Sequence, residues 1–238
     1  MALANTFPTA ASQKIANLWN TDHAAADEGN FFLATNPTIG TGIAMTTSVV
    51  DDAGGGATHA QTRPTMLITN NWAVNDPKRC RIYLRYLKMS NITQAPSSAT
   101  TGLHYSFRGD LNPSKYTSGG TLIVPVNINM DTSNTSEAVI YFGAITAVAG
   151  TANGRLLSRG VIAYGLQIIG DQWIFTFGST SMPTNVLGAT ALKQVTVPCP
   201  PIILGPSTCV TLDLWEANLS AAPAFEFELG YIERPAGQ

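Results

Sequence analysis

FEFELGYIER (225–234) alternates three large apolar residues, Phe225, Phe227 and Leu229, with two carboxylates, Glu226 and Glu228. A side-chain period of two belongs to a β-strand with one buried and one polar face. The segment before it, TCVTLDLWEA (208–217), repeats the pattern: Val210, Leu212 and Leu214 share one face, Thr211, Asp213 and Trp215 the other. Read as a hairpin, the pair packs its apolar sets inside and gathers Asp213, Glu226 and Glu228 outside. Carboxylates two apart on a strand stand roughly 7 Å apart by strand rise, a separation that would suit inverting glycoside hydrolysis. That chemistry needs one acid desolvated in a cleft, and a flat outer face offers none. A hard cation such as calcium could bridge the three carboxylates. The expected reading is a solvated or partner-facing acidic patch.

The same period runs back through the chain. FFLAT (31–35), GIAMTTSVV (42–50), TMLIT (65–69), RIYLRYLKM (81–89), LHYSFRG (103–109), TLIVPVNIN (121–129), AVIYFGAITAV (138–148), LQIIGDQWIFTFG (166–178) and LKQVTV (192–197) all read as strands. Stretches rich in Gly, Pro, Asn, Ser and Thr separate them, including DDAGGGATHA, GDLNPSKYTSGG and AGTANG. Many short strands without intervening helices predict an antiparallel β-sandwich or barrel, with no parallel α/β sheet. Pro125 lacks an N–H and marks an edge or a bulge. VPCPPIILGP (197–206) reads as a stiff extended connector into the last hairpin.

The first thirty residues differ. Ala11, Ile15, Leu18 and Trp19 fall at helical spacing, after the start signals Pro8 and Thr9, and the pattern dies out in NTDHAAADEGN. A lone amphipathic helix cannot bury its own stripe, so Ile15, Leu18 and Trp19 are interface candidates, joined by Trp72 and Trp215. The expected division is an N-terminal arm over 1–30 and a single β-domain over 31–238.

Composition narrows the function. Of 238 residues, 45% are hydrophobic and only 12% charged, with a net charge of −2. A surface that poor in charge suits a chain covered by copies of itself better than a free enzyme. No basic patch or tail is present for nucleic acid. No apolar run reaches the roughly 18 residues of a membrane helix, and the N-terminus lacks a signal-peptide pattern. Cys80, Cys199 and Cys209 are odd in number and read as free thiols of a protein made in a reducing cytoplasm. No G-x-S-x-G elbow, Walker loop, dinucleotide fingerprint or His/Cys zinc spacing occurs, so no catalytic residue and no cofactor is expected.

The run of short strands closing in PPIILGPSTCVTLDLWEANLSAAPAFEFELGYIERP (200–235) resembles the jelly-roll structural proteins of viral particles, above all the capsid decoration and head-fibre proteins of tailed bacteriophages. The resemblance implies a jelly-roll-like sandwich in the virion, made in the host cytoplasm, its partners being itself and other virion proteins. The low charge and the unpartnered helical stripe point to a homo-oligomer, a homotrimer ahead of a pentamer or hexamer. Coat proteins of small RNA viruses usually carry a basic arm. Here residues 1–62 hold Lys14 alone against Asp22, Asp27, Glu28, Asp51 and Asp52, which implies an outer or accessory shell position. Two other classes remain open. One is a carbohydrate-binding module using an exposed tryptophan, and the other is a glycoside hydrolase.

Overall fold

The computed structural model describes residues 21–45, 62–93, 103–148, 154–163, 168–178, 194–215 and 223–235. The chain forms α1 (Thr21–Asp27), then β1 (Phe31–Thr35), β2 (Ile43–Ala44), β3 (Met66–Asn70), β4 (Cys80–Thr93), β5 (Leu103–Asp110), β6 (Tyr116–Ile123) and β7 (Val126–Asn127). There follow β8 (Ala138–Ala147), β9 (Arg155–Ala163), β10 (Gln172–Phe177), β11 (Gln194–Cys199), β12 (Ile203–Leu204), β13 (Cys209–Trp215) and β14 (Ala224–Pro235).

These strands make two sheets. One runs β11-β10-β4-β14-β1-β7, with β12 also on β4 and β2 on β14; the other runs β6-β8-β3-β13-β5-β9. Take β1, β3, β4, β5, β9, β10, β13 and β14 as eight strands in chain order. The first, eighth, third and sixth are then neighbours in one sheet, and the second, seventh, fourth and fifth in the other. All these neighbours pair antiparallel. In that order successive strands alternate between the two facing sheets except for the fourth and fifth, which share one, and this is the jelly-roll order. The remaining strands widen it: β6 and β8 extend the second sheet, β7 and β11 the first. The β10/β11 pair is parallel.

The period of two does its work between the sheets. Phe225, Phe227 and Leu229 of β14 face Val210, Leu212 and Leu214 of β13 across one core, all at most 4% exposed. Phe227 lies flat on Phe142 of β8, with centroids 4.4 Å apart. Phe107 meets Phe175 and Phe177 edge-on, each at 5.2 Å.

Four expectations need correction. First, 208–217 and 224–233 are not a hairpin. β13 pairs with β3 and β5, β14 with β4, β1 and β2, so the two strands face each other from opposite sheets. Second, the proline-rich connector supplies β11 and β12. Pro198 is tolerated because β11 is the outermost strand. Third, the strand expected over 121–129 is broken at Pro125. The chain leaves the edge of one sheet there, as β6, and joins the edge of the other as β7. Fourth, β9 was not foreseen. RLLSRGVIA has neither clean alternation nor aromatic content.

The stripe residues Ile15, Leu18 and Trp19 lie outside the described residues. The helix that is described, α1, occupies TDHAAAD, where the helical pattern was expected to fade. Its Ala25 packs on Phe31 and Ile232, beside Tyr83 and Tyr86, on the outer face of the β14 sheet. Gly29, at φ +68°, ends it in a Schellman turn, in which Asn30 donates to the Ala25 carbonyl and Gly29 to that of Ala26.

Candidate functional site

Glu226 and Glu228 sit on the outer face of the β14 sheet, opposite Ser90 and Lys88 of β4. That face is not flat, as the sequence alone suggested. The loop after β1 folds over it and walls a cleft of about 260 Å³ lined by Asn36, Ile39, Lys88, Ser90, Glu226 and Glu228 among others. Asn36 holds the loop down by acting like one more strand residue. Its Oδ1 accepts from the Phe227 amide at 2.7 Å, and its Nδ2 donates to the carbonyls of Thr41 at 3.1 Å and Phe225 at 3.4 Å. The Gly40 amide donates to a Glu226 carboxylate oxygen.

Glu228 has two partners. The Tyr86 hydroxyl donates to its Oε1 at 2.9 Å, and Lys88 Nζ stands 3.8 Å from its Oε2. Burial, and then the bond to Glu228, pushes the Tyr86 phenol well above its usual range. Tyr86 can lie there because residue 230 is glycine. A Cβ at that position would stand 2.3 Å from the tyrosine ring. A bulge in β4, where Gly230 pairs with Tyr86 and Tyr231 with Leu84, leaves Arg85 as the extra residue. Arg85 reaches Asp22 of α1 at 2.8 Å.

Asp213 does not join this site. It points away from the core of the other sheet, on the far side of the sandwich, because β13 and β14 face each other through their apolar sides. The proposed meeting of Asp213, Glu226 and Glu228 is thereby overturned, and with it the three-carboxylate calcium site. Among the described residues no group of three or more His, Cys, Asp or Glu side chains is placed to hold a metal. Asp213 is instead 1% exposed, near Arg108 at 3.9 Å. Burial raises its carboxyl to about 7, against the opposing pull of Arg108, Lys115 and Ser106.

Trp72 is half-buried beside Glu233, itself a buried acid raised by desolvation and eased by Ser136 and Trp72. Ser136 donates to Glu233 and exchanges a hydrogen bond with the Tyr231 hydroxyl at 2.6 Å. Trp215 is half-buried and stacks on His104 at 5.4 Å. Both tryptophans therefore have partners within the chain. Asp213 and Glu233, the two carboxyls raised by burial among the described residues, do not line the cleft.

The cleft thus offers two carboxylates, an ammonium and a serine hydroxyl, a set able to hold a small hydroxyl-rich molecule by hydrogen bonds. The loop contribution was invisible in the sequence. Only the short spacing between β1 and the strand expected at Gly42 hinted that residues 36–41 must fold back. Comparison with protein-family models, with curated proteins and with solved structures finds no match to this chain.

Proposed function

We propose that the chain is a virion structural protein, a capsid decoration, cement or accessory shell protein that acts by symmetric self-assembly and adhesion, without catalysis. The observation that carries this reading is the pairing of a jelly-roll strand order with a surface of few charges and many exposed apolar side chains. Jelly rolls build viral shells, as well as lectin domains and cupins. A fold alone is an analogy; the surface argues for the shell. A stable interface removes apolar area from water and leaves charge at its rim. Met130, 96% exposed, ends a row of exposed Leu122, Val124, Val126 and Ile128, and apolar side chains so gathered mark an interaction surface.

Light scattering on the purified chain at micromolar concentration tests the reading. A homo-oligomer is expected, a trimer first. A chain that stays monomeric up to the highest soluble concentration overturns self-assembly.

The cleft over Glu226 and Glu228 favours a second reading, a carbohydrate-binding module for host attachment, since its lining is polar and hydroxyl-seeking. Saccharide titration followed by nuclear magnetic resonance tests it. Chemical-shift changes confined to Asn36, Lys88 and Ser90, lost in Glu228→Gln, would favour attachment over cement.

A further inference from the structure

Every second residue from Leu122 to Met130 is large, apolar and exposed. Leu122, opposite Tyr141, lies on the outer face of one sheet and Val126, opposite Leu33, on the outer face of the other. The row Leu122, Val124, Val126, Ile128 and Met130 therefore wraps around the edge of the sandwich, where β6 ends one sheet and β7 ends the other. Together they present on the order of 500 Å² of apolar surface, much of the ~800 Å² per partner that a standard stable interface buries. Pro125 holds the middle of this ridge off any sheet ladder.

The opposite side of the molecule carries a hollow. β9 closes the far edge of the second sheet, and β12 lies alongside β4 on the same flank as β10. Between them opens an apolar cleft of about 330 Å³, its wall made by Leu157, Leu204 and Val210 and its rim by Leu111 and Ile203. The rim residues are 54% and 53% exposed. The ridge stands on the first strand of the six-stranded sheet and the cleft on its fourth to sixth, β13, β5 and β9, roughly 14–24 Å away at ordinary strand spacing, so one cannot fill the other within a single chain.

Their charges are opposite. Beside the ridge stand exposed Asp131, which follows Met130, and exposed Asp27 and Glu28, held close because Asn129 Nδ2 donates to the Asp27 carbonyl at 3.0 Å. Arg155 lines the cleft, and Arg159 is exposed on the same edge strand. The acid within the cleft lining, Asp110, is buried and neutralised by Lys115 at 2.9 Å.

We infer that the ridge of one copy of this chain seats in the cleft of the next, a head-to-tail contact that closes into a ring. The inference rests on the self-assembly reading and gives it an address. A contact between two different patches is heterologous, and repetition gives a ring when the rotation closes and an open filament when it does not. The aliphatic side chains supply the buried area, and the pairing of Asp131 with the Arg155 side sets the register.

Heterologous contacts have a signature that two-fold contacts lack. Val124→Asp with Met130→Asp disables the ridge and leaves the cleft. Leu111→Glu with Ile203→Glu disables the cleft and leaves the ridge. All four positions are exposed, so both variants should keep the wild-type β circular dichroism. Each alone should run as a 25.2 kDa monomer. Mixed one to one, they should form a dimer and stop, since only one good junction can be made. Wild-type oligomers with both variants still at wild-type mass would overturn this contact and leave self-assembly standing. So would two monomeric variants whose mixture stays monomeric. A wild type that never associates would overturn both readings. Should either double variant misfold, Arg155→Asp, at an exposed site, replaces it. About a tenfold loss of association is then expected, and unchanged association refutes the inference.

Discussion

Truncating Phe227 is the sharpest perturbation of the architecture. Its ring is 2% exposed, flat on Phe142 from the opposite sheet at 4.4 Å and 4°, and edge-on to Phe225 at 6.1 Å. Removing a buried phenylalanine side chain costs about 3–5 kcal/mol, through lost transfer energy and the cavity left behind. Against a total of roughly 5–15 kcal/mol for a domain, that is a large fraction. With a urea m-value near ~3 kcal/mol/M, 4 kcal/mol moves the midpoint by roughly 1.3 M. Protein concentration must be held fixed, because assembly itself stabilises. Phe142→Ala should cost about as much, and the double variant less than the two together, by about 0.5–1.5 kcal/mol, the usual coupling of an aromatic pair. Additive costs would refute the contact between sheets. A Phe227→Ala midpoint within ~0.3 M of wild type would refute the buried face altogether.

Glu226→Gln and Glu228→Gln should each cost roughly 0.5 kcal/mol or less, and a chelator should leave the melting temperature of the wild type unchanged; a chelator-sensitive melt abolished by the double Gln variant would reinstate a cation. Asp213 makes a pH prediction. Its carboxyl is raised from 3.8 to about 7, so the folded state holds the proton more tightly than the unfolded one. Wild-type stability should therefore fall as pH climbs from about 4 to about 7, by up to roughly 4 kcal/mol. Asp213→Asn should flatten that slope in urea melts across the window, and an unchanged slope refutes the assignment. Gly230→Ala should cost about 1–3 kcal/mol as the new methyl drives Tyr86 off Glu228. In a Tyr86→Ala background the same change should be milder, and an equal cost in both backgrounds would place the strain elsewhere.

How far the chain could be read depended on what kind of information each feature carries. The inward set of β14 was legible because alternation is local; Phe225, Phe227 and Leu229 are buried as their spacing demands. Which sheet a strand joins is not local. The period places Asp213 on the polar side of β13 but says nothing of the fact that this side lies across the molecule from Glu226. Edge elements were the least legible. β9 carries two arginines and no aromatic residue, and β6 contains Gly119 and Gly120 at positive φ, which read as a loop but form bulges against β8. The candidate cleft depends on Asn36 bonding Phe227 across 191 positions of chain, a pairing that no window of sequence displays.

The two strands at the heart of the sheets, β13 between β3 and β5 and β14 between β4 and β1, come after all the others among the described residues. During synthesis each sheet must therefore wait, with an open slot, until β13 and β14 have followed their earlier neighbours out of the ribosome tunnel. Such long-range closure is slow, and in the interval the flanks of β1, β4, β3 and β5 stand as unpaired backbone, able to accept a strand from a neighbouring nascent chain. High expression temperature should then drive this protein into inclusion bodies more by mistimed strand capture than by any weakness of the finished core.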